Sequence, residues 1–198
     1  MLSRSIALGL VFSLNDCFEL MEQAERTDTW LSWCREQHLY VACTQELVQA
    51  LGAVLGRWPA TILEIGAGSG ELASKIAKRA IPIIATDPAA AAPNVFPLET
   101  ADALSIYQPE TVFSSFLPVD AGIERQILRC ASVRRYLYIG PKIMGRVGPE
   151  SLWSTPGWRA SPLPDVDSVL ISRLDVLPDF TRRTHIRGAG AVLLERER

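Results

Sequence analysis

The segment that most restricts what this chain can fold into runs from Thr61 to Gly70. Thr61-Ile62-Leu63-Glu64-Ile65 is a short β-branched apolar run that stops at glycines, as a strand buried on both faces does. Gly66, Gly68 and Gly70 follow, each separated by one residue. A helical pattern then starts at once. Leu72, Ala73, Ile76, Ala77 and Ala80 recur on one face, while Glu71 and Lys75 stand four apart on the other, in the favourable order for an ion pair. Strand, glycine-rich turn and helix in immediate succession make the first half of a right-handed crossover, which predicts a parallel sheet with helices on both faces.

The rest of the chain extends that alternation. Upstream, Thr44 is placed to cap a helix whose Leu47, Val48, Leu51 and Leu55 form one apolar stripe, ended by Gly56 and Pro59. Downstream, Ile81 to Ala85 reads as a second strand, with Pro82 tolerable near its start. Phe96-Pro97-Leu98 suggests a short edge strand, and Thr111 to Leu117 a better one ended by Pro118. Residues 121–132 have helical spacing through Ile123, Ile127 and Leu128, and Tyr136 to Ile139 supplies a fifth strand. The alanine-rich stretch Pro88 to Pro93 fits either a short helix or a loop. Residues 141–166 are rich in Gly, Pro and Ser and read as a long loop holding Trp153 and Trp158. Val169 to Val176 and Ala189 to Glu195 read as two strands that pair antiparallel at the end of the sheet.

The expected organisation is one domain over residues 1–198: an N-terminal helical cap (1–43), a core (44–140), then a loop and C-terminal strands (141–198). A chain of 198 residues is long enough to bury a sufficient core without disulfides or metal. A formal charge of −2 gives no general attraction to phosphate backbones, so a long nucleic acid is not an expected partner. Cys17, Cys34, Cys43 and Cys130 show neither CxxC pairing nor a histidine ladder; no metal site is expected, and reduced thiols in a cytoplasm fit best. Arg4 followed by Ile6 to Phe12 resembles the start of a secretory signal, but no small-x-small cleavage site follows before Asn15. That run is also far short of the roughly 20 residues needed to span a bilayer, so a retained element and no membrane association are expected.

The turn Glu64-Ile65-Gly66-Ala67-Gly68-Ser69-Gly70 lets a backbone bend sharply and lets a ligand approach where a Cβ would intrude. A tight turn without a ligand satisfies the same residues, so context decides. Asp87 ends the next strand, where a carboxylate can accept hydrogen bonds from both hydroxyls of a ribose; Asp87-Pro88 is also a turn-forming pair. In sheets of this kind ligands sit beyond the carboxyl ends of the strands, which brings residues 64–70, 87 and 102 around one crevice. The dinucleotide fingerprint G-x-G-x-x-G requires glycine at position 71 counted from Gly66, and Glu71 stands there, where a carboxylate faces a pyrophosphate unfavourably.

These residues resemble the class I, Rossmann-like, S-adenosylmethionine (SAM)-dependent methyltransferase family, whose first motif is (Asp/Glu)-x-Gly-x-Gly-x-Gly. Glu64, Gly66, Gly68 and Gly70 match its fixed positions. The resemblance covers about residues 60–140. It implies an α/β, doubly wound Rossmann-like sheet, mostly parallel with an antiparallel C-terminal strand. It also implies SAM as cofactor and S-adenosylhomocysteine as product. By the same resemblance Gly66, Ala67 and Gly68 pass beside the methionine part, Glu64 orients its ammonium, Asp87 holds the ribose and Asp102 accepts from the adenine amino group. The fourth motif departs from the pattern. Members that methylate nucleobase amines often carry an Asn/Asp/Ser-Pro-Pro-aromatic segment, and this chain has Ser114-Ser115-Phe116-Leu117-Pro118.

Transfer from a sulfonium needs the donor and acceptor held in line more than it needs a strong catalytic dyad. An oxygen acceptor benefits from a base, and His38 and His185 are the chain's histidines. Tyr40 lies where many relatives cover the donor or substrate. Trp30, Trp33, Trp153 and Trp158 are candidates to line an apolar substrate pocket, or to seal the core where appended segments meet. The expected function is methyl transfer to a small organic acceptor, oxygen slightly favoured over nitrogen. Methylation of protein or RNA, a SAM-binding regulatory protein without transfer, and a nicotinamide-dependent oxidoreductase, disfavoured by Glu71, are the competing readings. The residues do not indicate an oligomeric state.

Overall fold

The computed structural model describes residues 13–27, 29–58, 60–118, 121–179 and 184–197. The N-terminal apolar run Ile6 to Phe12 lies outside them. The central strand β1 (Ile62–Ile65) is flanked by two parallel neighbours, β2 (Ile83–Thr86) and β4 (Thr111–Ser115). Beyond β2 lies the two-residue edge strand β3 (Val95–Phe96), and beyond β4 lies β5 (Arg135–Ile143), both parallel to their neighbours. The final strand β10 (Ala189–Arg196) runs antiparallel to β5, and β7 (Trp158–Pro162) pairs antiparallel on its outer side. The order is therefore β3-β2-β1-β4-β5-β10-β7, with a short strand β6 (Arg146–Val147) turned back on β5. A two-stranded ribbon, β8 (Val176–Asp179) with β9 (Thr184–Ile186), stands apart from the sheet.

Side chains alternate across the strands, so each face of the sheet acquires its own core. On one face Leu63, Ile65, Val112, Tyr136 and Val192 pack with Ala103 and Leu104 of helix α5 (Thr100–Tyr107) and Ile127 and Leu128 of helix α6 (Ile123–Arg129). On the other, Ile62, Phe113, Leu137 and Ala191 pack beneath Leu47, Leu51 and Leu55 of helix α3 (Gln45–Leu55) and Ile76 of helix α4 (Glu71–Ala77). Thr44 caps α3 as its sequence position predicts, its side-chain oxygen accepting the Leu47 N–H at 3.2 Å.

The N-terminal segment folds as helix α1 (Leu14–Thr27) and helix α2 (Trp30–Glu36) around a separate cluster that includes Cys17, Met21, Trp30, Cys34 and Ile171. It is tied to the body through Ser172. Trp30 Nε1 donates to the Ser172 carbonyl at 2.8 Å, and Val41 forms a β-bridge with Ser172. Ser172 Oγ in turn donates to the buried Asp175 carboxylate at 2.7 Å. This anchoring fixes the course of residues 38–43, which run directly into the site described below.

Several expectations are corrected. Residues 141–166 are not a long loop: they contain β6, a one-turn helix α7 (Ser151–Ser154), β7 and the start of a second one-turn helix, α8 (Pro164–Asp167). Val169 to Val176 is not a strand of the sheet. It is a turn segment with one bridge, and the antiparallel partner on the outside of β10 is β7. The alanines after Pro88 form turns. Lys75, expected on the solvent side of α4, is buried at 6% exposure, with its ammonium paired to Glu71 Oε1 at 2.8 Å. The long alkyl stem of lysine permits this, packing inward while the charge meets its partner. Among the described residues no helix is long and apolar enough to cross a membrane.

Candidate functional site

The carboxyl ends of β1, β2 and β4 open into a pocket of about 790 Å³. One side is the glycine turn after β1. Gly66, Gly68 and Gly70 all have positive φ, at 72°, 54° and 70°. They differ in what surrounds them. A Cβ on Gly66 would sit 2.5 Å from Leu117 Cδ2 and one on Gly70 would sit 2.5 Å from Val95 Cγ2, whereas nothing lies within 4 Å of that position on Gly68. Gly66 and Gly70 thus let the turn pack against the sheet, and Gly68 faces open pocket.

Glu64, the penultimate residue of β1, points beneath α4. It is 2% exposed and its Oε2 has no hydrogen-bond partner among the described residues. Burial pushes its carboxyl up to about 8; the Ala73 backbone amide, which hydrogen-bonds it, pulls the other way, and the nearby Asp87 charge pushes it up further. The Ala73 amide is one of the first-turn N–H groups that a helix leaves without an internal partner. Gly70, at the N-cap, offers no side chain to satisfy them.

Asp87 follows β2 and meets the glycine turn. Its Oδ2 accepts the Gly68 N–H and its Oδ1 accepts the Ala89 N–H, both at 2.9 Å. The rest of the lining includes His38 to Val41 and Cys43 from the N-terminal segment and Ser115 to Pro118 after β4. Burial drives the Cys43 thiol up to about 12, with the Glu71 charge adding to the effect, so it is a poor nucleophile there.

The structure thus brings Glu64, Gly66, Ala67, Gly68, Asp87, His38 and Tyr40 to one pocket. Gly70 supports the turn from behind. Asp102 is not brought in: it sits exposed in the first turn of α5, outside the pocket lining. Trp153 and Trp158 are also elsewhere. Trp158 is buried, with its indole N–H donating to the Leu128 carbonyl at 3.1 Å, and Trp153 donates to the Val147 carbonyl at 3.0 Å. Both pack with the core on the α5/α6 face, and neither is among the residues that line the pocket at the strand ends. Trp30 and Trp33 stack on each other in the N-terminal segment, with ring centroids 5.1 Å apart. The side chain of His185 lies outside the described residues. Phe116 and Leu117, at the pocket wall, were visible in the sequence only as a departure from an expected motif.

A parallel β3-β2-β1-β4-β5 core, an antiparallel strand inserted beside β5, and a glycine turn at the carboxyl end of β1 are now together. The chain has a doubly wound, Rossmann-like α/β fold. No family model matches the chain, and no curated protein matches it. Similar solved structures include the 23S rRNA methyltransferase ErmE, at 13% identity over 80% of this chain and 70% of that one, TM-score 0.47. A SAM-dependent methyltransferase from Archaeoglobus fulgidus is similar at 11% identity over 75% of this chain and 94% of that one, TM-score 0.47. The plantazolicin methyltransferase BpumL is similar at 10% identity over 77% and 82%, TM-score 0.47.

Proposed function

We propose that the pocket binds SAM and that the chain transfers the methyl group to a small organic acceptor, oxygen favoured over nitrogen. The observation that carries this reading is the orphaned Oε2 of buried Glu64 beneath a turn whose middle glycine faces open space. A buried carboxyl lacking a partner calls for a donor, and an amino acid ammonium supplies both the donor and the opposite charge. Three carboxyl groups, those of Glu64, Glu71 and Asp87, line the pocket. Glu71 is paired with Lys75, a ligand ammonium favours the ionised form of Glu64, and a carboxyl-lined site repels a pyrophosphate.

In this reading Glu64 meets the ammonium, and Gly66, Ala67 and Gly68 form the wall against the methionine part. Asp87 holds the ribose with the lone pairs that Gly68 and Ala89 leave free, since an ionised carboxylate offers about four acceptor positions. The adenine lies along Ala89 to Ala92, the apolar part of the lining next to Asp87, rather than against Asp102. SAM supplies a methyl group on a sulfonium, already activated for in-line displacement. What remains for the protein is orientation and exclusion of water. The N-terminal segment and the Ser115 to Pro118 turn enclose the acceptor end, and His38 takes the proton of an acceptor hydroxyl.

Mass spectrometry of ligand retained by the purified protein, followed by calorimetry with SAM, S-adenosylhomocysteine and NAD, tests the cofactor. SAM and its product are expected to bind and NAD is not. Binding of NAD in preference to both would overturn the reading. Conversion of SAM to S-adenosylhomocysteine with candidate acceptors then separates an enzyme from a ligand-binding regulatory protein.

A further inference from the structure

The pocket lining carries two non-glycine residues in the left-handed backbone region: His38 at φ 53° and Phe116 at φ 55°. For a bulky residue such as phenylalanine this conformation is an outlier that persists only where the surroundings over-determine it, and such outliers cluster at ligand sites. Phe116 is held by its N–H, which donates to the Ile139 carbonyl at 2.8 Å, immediately after β4 pairs Ser115 with the same residue. The consequence is a ring turned toward the N-terminal segment, where its centroid lies 6.0 Å from that of Tyr40 at an interplanar angle of 55°.

Tyr40 is equally constrained. Its carbonyl accepts the Arg173 N–H at 3.0 Å, and the Arg173 guanidinium carbon stands 4.0 Å from the ring centroid. Even so, the residue remains 47% exposed and lines the pocket. Trp158 provides the contrast, since it is buried with its N–H committed to the Leu128 carbonyl. Tyr40 is half exposed and Phe116 is only partly buried against the core, and both line the pocket.

We infer that the Tyr40–Phe116 wall, backed by Arg173, is the acceptor subsite and takes a hydroxylated aromatic ring in its neutral or anionic form. The inference rests on the SAM reading above and adds the acceptor class. Two tilted rings present one surface for stacking and one for edge contact, the arrangement that a third aromatic ring satisfies and an aliphatic ring of equal size does not. The guanidinium draws on the π density of Tyr40 from one side, so a cationic acceptor gains little there, while a phenolic or anionic oxygen is attracted.

The test uses the full chain saturated with S-adenosylhomocysteine and titrates three probes by calorimetry: 2-naphthol, 2-decalol and 2-naphthylmethylammonium. Naphthol is expected to bind about tenfold more tightly than either of the others. Tyr40→Leu and Phe116→Leu are each expected to erase most of that preference, and since Tyr40 is half exposed its variant is expected to fold. Equal binding of naphthol and decalol, or an undiminished preference in Tyr40→Leu, would overturn the aromatic subsite while leaving the cofactor reading intact. A failure of S-adenosylhomocysteine to bind the wild-type chain, read in its own titration, would overturn both.

Discussion

Gly68 donates its backbone N–H to Asp87 Oδ2 at 2.9 Å across 19 positions of sequence. The carboxylate expected to hold a ligand also holds the turn beside which that ligand lies. With its other oxygen on the Ala89 N–H, Asp87 joins the ends of β1 and β2 into one rigid corner. Pre-organisation of this kind reduces the ordering cost of binding.

Asp87→Ala is therefore expected to act twice. S-adenosylhomocysteine affinity should fall by about 30-fold, near 2 kcal/mol, the usual value of hydrogen bonds to a charged group. The Gly68 amide should also exchange faster with solvent. Asp87→Asn, which keeps one acceptor oxygen, should lose less. Calorimetry and hydrogen exchange measure the two effects, and an unchanged affinity in the alanine variant would contradict the proposed pose.

The two glycines facing different surroundings should separate stability from binding. Gly66→Ala meets buried Leu117 in addition to an unfavourable φ, and a loss of about 2 kcal/mol in unfolding free energy is expected. Gly68→Ala has only the backbone conformation to oppose it, about 1 kcal/mol, but its methyl projects into open pocket. Denaturant unfolding should show the larger loss for Gly66→Ala. The larger loss of S-adenosylhomocysteine affinity relative to stability should belong to Gly68→Ala.

Glu64 should make stability fall with rising pH. Its carboxyl is raised by burial from 4.5 to about 8 in the folded chain, so between those values the folded state holds a proton that the unfolded state has released. Stability present below about pH 4.5 is then lost progressively up to about pH 8 and stays lost above it. Glu64→Gln abolishes this dependence. Denaturant midpoints should be similar for the two proteins near pH 5 and higher for the variant near pH 9. A ligand ammonium favours the ionised form, so binding near pH 7 should release a proton, detectable by calorimetry in buffers of different ionisation enthalpy.

Asp102→Ala should change S-adenosylhomocysteine affinity by no more than about twofold, the range of surface substitutions away from a site. The residue is exposed on α5 and does not line the pocket. A loss of tenfold or more would show that α5 approaches the ligand in the bound state.

The parts of the fold that were legible before the structure were those governed by local chemistry. The β1 run, the glycine turn, the Thr44 cap and the stripe of α3 each announce themselves within about ten residues, because backbone conformation, capping and helical periodicity act at that range. The strand β7 was hidden inside what reads as a loop. Its stability comes from pairing with β10, where Ser161 faces Leu193 across a long interval of chain, and no local pattern encodes a partner that distant. The same holds for Lys75, whose burial depends on what packs over α4.

In the site, the amino-acid sequence alone determined which residues turn the chain after β1 and which carboxylate ends β2, since glycine's conformational freedom and the strand-turn-helix order leave few alternatives. It could not determine which aromatic side chains line the cavity. Tyr40, Phe116, Trp153 and Trp158 are equivalent as apolar rings in a string of letters. Only the packing of the N-terminal segment on Ser172 and the strained backbone after β4 bring the first two to the pocket, while Trp158 is buried, and Trp153 partly buried, against the core on the α5/α6 face. Burial is a property of the assembled molecule, set by all the neighbours of a side chain at once, and that is why the tertiary structure had the final word on the acceptor end of the site.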